Sequence, residues 1–110
     1  LGLDVPSDAE GCLQDIHWSH GSMGYFPTYA LGNLYAAQLL EQIESDLPNL
    51  WVDVGRGEFG ALLGWLRTNV HEVGRRNLAP EIVEKATGKA PSSEPYLRYL
   101  ESKYSELYGL

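Results

Sequence analysis

One cysteine, Cys12, is all that 110 residues contain. That excludes an internal disulfide and any zinc site built from several cysteines. Positive charge is also scarce. Eight Lys and Arg face fifteen Asp and Glu, a net charge of −7 with the histidines neutral. Such a chain lacks the basic surface that nonspecific nucleic-acid binding or docking on anionic membranes requires. Apolar runs are only a few residues long, so none is expected to span a bilayer. Internal repeats and low-complexity tracts are missing as well. The opening residues, Leu1 to Pro6, carry no basic stretch followed by an apolar one and do not resemble a secretory leader. A reducing, cytoplasmic setting is the expectation.

What is present suits one small folded domain. Hydrophobic residues make up 44% of the chain, well above the range of disordered sequences. Residues 1–28 are rich in Gly, Pro and Ser without a sustained period, and they predict loop and short turns. Pro27 and Thr28 then precede a helical pattern, with Thr28 a candidate cap. Leu31, Leu34, Tyr35, Gln38, Leu39, Leu40, Ile43 and Leu47 recur on helical spacing, and Pro48 should stop the helix. Leu50-Trp51-Val52-Asp53-Val54 looks locally like a strand or irregular chain. A second helix follows from an apolar stripe at Phe59, Leu62, Leu63, Leu66, Val70 and Val73, ended by Gly74. A third fits Pro80 to Thr87, closed by Gly88. The last begins near Ser93, with Leu97, Leu100, Tyr104, Leu107 and Tyr108 as its expected buried face. The prediction is an all-α fold: a loop segment, residues 1–28, then four helices over residues 29–110.

The densest cluster of reactive side chains runs from Gly11 to Tyr29. It holds Cys12, Gln14, Asp15, His17, Trp18, His20, Tyr25 and Tyr29. Asp15 can fix the tautomer of an imidazole, and a His or Tyr can donate to a developing oxyanion. The plainer alternative is a capping loop with core aromatics and satisfied histidines. Asp15, His17 and His20 also have loose metal-ligand spacing, but nothing holds them on one helix face. His71-Glu72-Val73-Gly74-Arg75 misses the zinc-protease pattern because Arg75 stands where the second histidine belongs. Gly55-Arg56-Gly57-Glu58-Phe59-Gly60 matches a dinucleotide fingerprint literally, yet lacks the second strand that a βαβ unit needs. Cys12 beside Leu13 fits a small buried hydrophobe better than a nucleophile paired with His17. Trp18, Trp51 and Trp65, and the tyrosines of the last helix, are most simply packing.

Gly11-Cys12-Leu13-Gln14-Asp15-Ile16-His17-Trp18 resembles the Gly-x-x-Gln-Asp-x-His-Trp signature of the carboxypeptidase Taq family of metallocarboxypeptidases. Gly24-Tyr25-Phe26-Pro27-Thr28-Tyr29, with Leu31-Gly32 behind it, is similar to the stretch that follows in that family. Trp65-Leu66-Arg67-x-x-Val70-His71-x-x-Gly74, Ala86-Thr87-Gly88 and Tyr99-Leu100-x-x-Lys103-Tyr104 extend the resemblance in order along the chain. It implies the C-terminal part of a much longer helical zinc peptidase that removes single residues from peptide C-termini.

The resemblance implies a metal, zinc or another divalent ion, on a His-Glu-x-x-His helix with a third ligand from a later Glu, a ligand set that this sequence does not match. No residue of this chain is therefore assigned as a metal ligand, and the chain alone is expected to be inactive. By resemblance His17 would face the substrate carbonyl, Tyr29 would stabilise the oxyanion and Tyr25 would contact substrate. Gln14 and Asp15 would orient His17, while His20 lies outside the motif. Peptides are the implied substrates. The rival expectation is a noncatalytic helical interaction module that forms a homodimer through exposed apolar faces. A dinucleotide-binding fragment stands third.

Overall fold

The computed structural model describes residues 2–109, and among them every regular element is a helix. The chain divides into two compact units, Leu1–Leu31 and Gly32–Leu110.

In the first unit the expected loop is more structured than its composition suggests. Two 3₁₀ turns, Asp8–Glu10 and Cys12–Gln14, precede a four-residue helix α1, Ile16–Ser19. Asp15 starts α1: its backbone is extended and its carboxylate accepts the His17 backbone N–H at 3.2 Å. That satisfies one of the amides a helix start leaves without a partner. Gly21 and Gly24 then take φ of 73° each, a region open to glycine at little steric cost. The chain turns twice within a few residues and enters α2, Thr28–Asp46. Thr28 is not an N-cap acceptor. It is the first residue of α2, and its hydroxyl donates back to the Tyr25 carbonyl at 2.7 Å.

The second unit contains most of α2 and four further helices: α3, Leu50–Gly55; α4, Gly60–Leu66; α5, Ala79–Thr87; and α6, Glu94–Tyr108. With α1 this makes six α-helices among the described residues, where the sequence pattern predicted four. The segment Leu50–Val54 is helical and not a strand. Its β-branched valines favour extended chain locally, but Leu50 is buried and the Trp51 indole donates to Glu44 at 2.7 Å. Tertiary packing overrides a weak local preference.

The stripe from Phe59 to Val73 is interrupted. After α4 the backbone widens into a π-helical turn, Arg67–His71, which inserts a residue and shifts the side-chain register. Phe59 and Leu63, before that turn, are exposed, while Leu62, Trp65, Leu66, Val70 and Val73 are half-buried. Helix α5 ends where predicted, the Gly88 N–H donating to the Glu84 carbonyl. At its other end the Glu81 carboxylate accepts the Leu78 N–H at 2.8 Å, the reciprocal half of a capping box.

The core of this unit is small: Ile43, Leu50 and Val83 are buried, together with Pro95 and the polar pair Gln38 and Thr87. Gln38 amide nitrogen donates to Thr87 Oγ1, to the Lys89 carbonyl and to the Ala90 carbonyl at 3.1–3.2 Å. Its carbonyl accepts the Ser92 N–H at 2.9 Å. One side chain thereby ties the loop between α5 and α6 to α2. Trp65 adds a second tie, its indole donating to Asp46 at 2.7 Å.

The expected buried face of α6 is overturned. Leu97, Tyr104, Leu107 and Tyr108 are 40–70% exposed, and only Pro95 is buried on that helix, with Leu100 half-buried. Glu41 and Arg98 join α2 to α6 through a two-oxygen ion pair at 2.9 Å. An apolar period along a helix shows which residues share a face, not that anything in the chain covers it.

Candidate functional site

The first unit assembles its chemistry around His17. Its Nδ1 lies 2.5 Å from Asp15 Oδ1. An ionised carboxylate only accepts, so in the neutral ring Nδ1 carries the proton and Nε2 is left as an acceptor. The Tyr29 hydroxyl lies 3.5 Å from that Nε2. A carboxylate, an imidazole and a phenol thus form one line, Asp15 to His17 to Tyr29. The side chains of Asp15 and His17 are 30% and 22% exposed, so the dyad is partly shielded, while Tyr29 remains open to solvent.

Three aromatic rings hold the imidazole. Tyr25 stacks on it at 5.7 Å between centroids, and Phe26 and Tyr29 meet it edge-on at 5.2 and 5.8 Å. Tyr25 and Tyr29 also meet edge to face, at 5.6 Å. The local backbone explains the grouping. Asp15 caps α1 and so sits two residues before the ring it binds. Gly21 and Gly24 return the chain so that Tyr25, Phe26 and, one helical turn later, Tyr29 face His17.

The electrostatics follow from these contacts. Hydrogen bonds from the His17 ring and backbone hold the Asp15 carboxyl below the ordinary aspartate range. A hydrogen bond to Tyr25, and the charge Tyr25 carries when ionised, push the Tyr29 phenol up. Tyr29 is thereby a neutral donor across the physiological range.

The remaining candidates fall elsewhere. The Gln14 amide donates to the Ala9 carbonyl at 2.5 Å, so its hydrogen bond braces the turn before α1 and does not go to the His17 ring. His20 is exposed and outside the ring cluster, its N–H donating to Ile16 and Trp18 carbonyls. Cys12 is exposed, with its thiol 4.0 Å from the Asp8 carbonyl. His71 closes the π-helical turn and is exposed. Gly55–Gly60 links α3 to α4 with no strand before or after it among the described residues. Phe26 lies within the Gly24–Tyr29 stretch, but a phenyl ring has no polar atom to suggest a role from sequence. Its contact with both His17 and Tyr29 appears only in three dimensions.

Among the described residues no three His, Cys, Asp or Glu side chains gather closely enough to hold a metal ion. The Asp15 carboxylate is engaged by His17. The residues present do not fit a divalent-metal site. No helix among the described residues is long and apolar enough to cross a membrane.

Among the described residues every regular element is a helix, and a carboxylate, an imidazole and a phenol meet at His17. Over residues 1–104 the chain matches the family described as Carboxypeptidase Taq (M32) metallopeptidase, and it belongs to that family. It is 48% identical to Thermostable carboxypeptidase 1 of Thermus thermophilus over 109 residues, covering 99% of this chain and 21% of that protein. It is 46% identical to Carboxypeptidase 1 of Bacillus subtilis, covering 100% of this chain and 22% of that one. Among solved structures it superposes on the M32 carboxypeptidase of Deinococcus radiodurans with a TM-score of 0.90. That pair is 48% identical and covers 100% of this chain and 22% of the other. The chain therefore spans about a fifth of the length of the relatives it matches.

Proposed function

We propose that this chain is the C-terminal part of a metallocarboxypeptidase, and that it supplies the substrate and oxyanion side of the active site. The single observation that carries the proposal is the Asp15–His17–Tyr29 line with Tyr25 beside it. Relatives named carboxypeptidases, 46–48% identical across the chain, support the same reaction class.

The chemistry assigned to each side chain follows from its bonds. Asp15 holds the Nδ1–H edge of His17, so the ring presents Nε2 toward Tyr29. When His17 takes up a proton, Nε2 becomes a donor next to the Tyr29 hydroxyl. A substrate carbonyl oxygen placed between them accepts from both, and the bonds strengthen as negative charge develops on it. Tyr25, whose ring meets Tyr29 edge to face, provides a second hydroxyl for substrate contact. No cluster of three ligating side chains occurs among the described residues, and on this reading the isolated chain is expected to be inactive. On this reading the metal that the family implies is held by the part of the parent protein that this chain does not span.

A chimera tests the proposal. This chain replaces the matching residues of the Thermus thermophilus carboxypeptidase, and release of single C-terminal residues from peptides is followed. An active chimera whose kcat falls about 10²- to 10³-fold on Tyr29→Phe matches the loss of one oxyanion donor. An active chimera indifferent to both Tyr29→Phe and His17→Gln would sink the assignment. The isolated chain should show neither stoichiometric zinc nor peptide turnover.

A second reading rests on α6, where Leu97, Leu107 and Tyr108 are 56–70% exposed. Apolar side chains grouped on one helix favour a protein contact, most simply with a second copy in a twofold dimer. Sedimentation over a concentration series tests this, and a monomer throughout would remove it.

A further inference from the structure

We infer that Phe26 is a positioning residue for the His17–Tyr29 pair. The inference deepens the site described above and rests on the proposed function only for its kinetic arm. The structural basis is that Phe26 packs against both members at once. Its ring meets the His17 ring edge-on at 5.2 Å and 69°, nearer than either tyrosine, and meets Tyr29 at 5.7 Å and 58°.

A hydrogen bond from Nδ1 to Asp15 anchors the imidazole at one point but does not determine the plane of the ring. That plane matters, because the far nitrogen reaches Tyr29 at 3.5 Å, the outer limit of a hydrogen bond. A tilt of a few degrees breaks the contact. Edge-to-face packing restricts such a tilt through the positive rim and negative face of the two π systems. Phe26 has no polar atom, so packing is its only means of acting on the pair. Its own placement is narrowed by the backbone. Pro27 disfavours helical geometry in the residue before it, and the Phe26 carbonyl accepts the Tyr29 N–H at 3.2 Å. The same turn therefore sets Phe26 and Tyr29 together. At 56% exposure the phenyl contributes little to the core, so its removal acts on the pair more than on folding.

The test reads the imidazole nitrogens of His17 by NMR in the ¹⁵N-labelled 110-residue chain, with His17→Gln for assignment. Phe26→Ala should lower the ratio of Nδ1–H to Nε2–H tautomer about 2- to 10-fold, the range for losing one aromatic pair. Phe26→Leu should behave like Phe26→Ala, and Phe26→Tyr should restore the wild-type ratio. An unchanged ratio in Phe26→Ala, or full restoration by Phe26→Leu, overturns the inference. If Phe26→Ala loses its helical circular dichroism, Phe26→Leu and Phe26→Tyr decide between the same two outcomes. In the chimera Phe26→Ala should lower kcat at unchanged KM. A raised KM at unchanged kcat would make Phe26 a wall of the substrate pocket and overturn the positioning role. An inactive chimera counts against the peptidase assignment and leaves the tautomer result standing.

Discussion

The Ser92 backbone N–H donates to the buried carboxamide oxygen of Gln38 at 2.9 Å, across 54 residues of sequence. The same amide's nitrogen serves Thr87 Oγ1 and the carbonyls of Lys89 and Ala90. Replacing Gln38 with Leu keeps the volume but leaves these partners without their bonds. The expected cost is about 1–3 kcal/mol, measured by urea unfolding of the chain. A loss within error would mean that water takes over the bonds.

Asp15 should hold its charge to lower pH than an ordinary aspartate. Its folded pKa lies below its unfolded one, through the His17 bonds. The stabilisation is therefore present above the ordinary aspartate value of about 3.9 and is lost as pH falls through the depressed folded value. Following the Asp15 carboxyl carbon by NMR should give a midpoint below about 3.9. In the same range the His17 backbone amide should lose its protection. A midpoint above 3.9 would show that the Asp15–His17 bond does not persist in solution.

Tyr29 should ionise late. Its phenol is pushed up by Tyr25, so it is expected to titrate above about 10, read as the difference between the ultraviolet pH titrations of the chain and of Tyr29→Phe. The hydroxyl proposed as oxyanion donor then keeps its proton through neutral and mildly alkaline pH. Tyr25→Phe should bring the midpoint back toward the ordinary tyrosine value, because it removes the hydroxyl that raises it.

NAD should not bind. Gly55–Gly60 connects two helices, and a dinucleotide fold needs strands on both sides of the glycine turn. Titrating NAD while following the fluorescence of Trp51 and Trp65 should give a flat response after correction for absorbance. A saturable change would restore the nucleotide reading.

Much of the architecture was legible from local signals. Pro48 ended α2, Gly88 ended α5 and Glu94 with Pro95 opened α6, because proline and glycine act through their own backbone geometry. Residues 50–54 are helical against the local preference of two valines, because the tertiary contacts that favour the helix lie outside any local window. The π turn at Arg67–His71 was invisible for a similar reason: one inserted residue changes register without changing composition.

Within the site, residue type and spacing left Asp15, His17, Tyr25 and Tyr29 open to a plain capping loop and only the family resemblance gave them roles, while the all-helical class followed from periodicity. Which ring nitrogen of His17 carries the proton, that Gln14 turns away to Ala9, and that Phe26 packs on both His17 and Tyr29 were decided only by tertiary structure. Periodicity reports the angle of a side chain around its own helix. Partners brought in by turns such as those at Gly21 and Gly24 depend on distances that no single element contains. The exposed face of α6 follows the same rule, since the pattern of apolar residues names a surface and only packing determines whether it is covered.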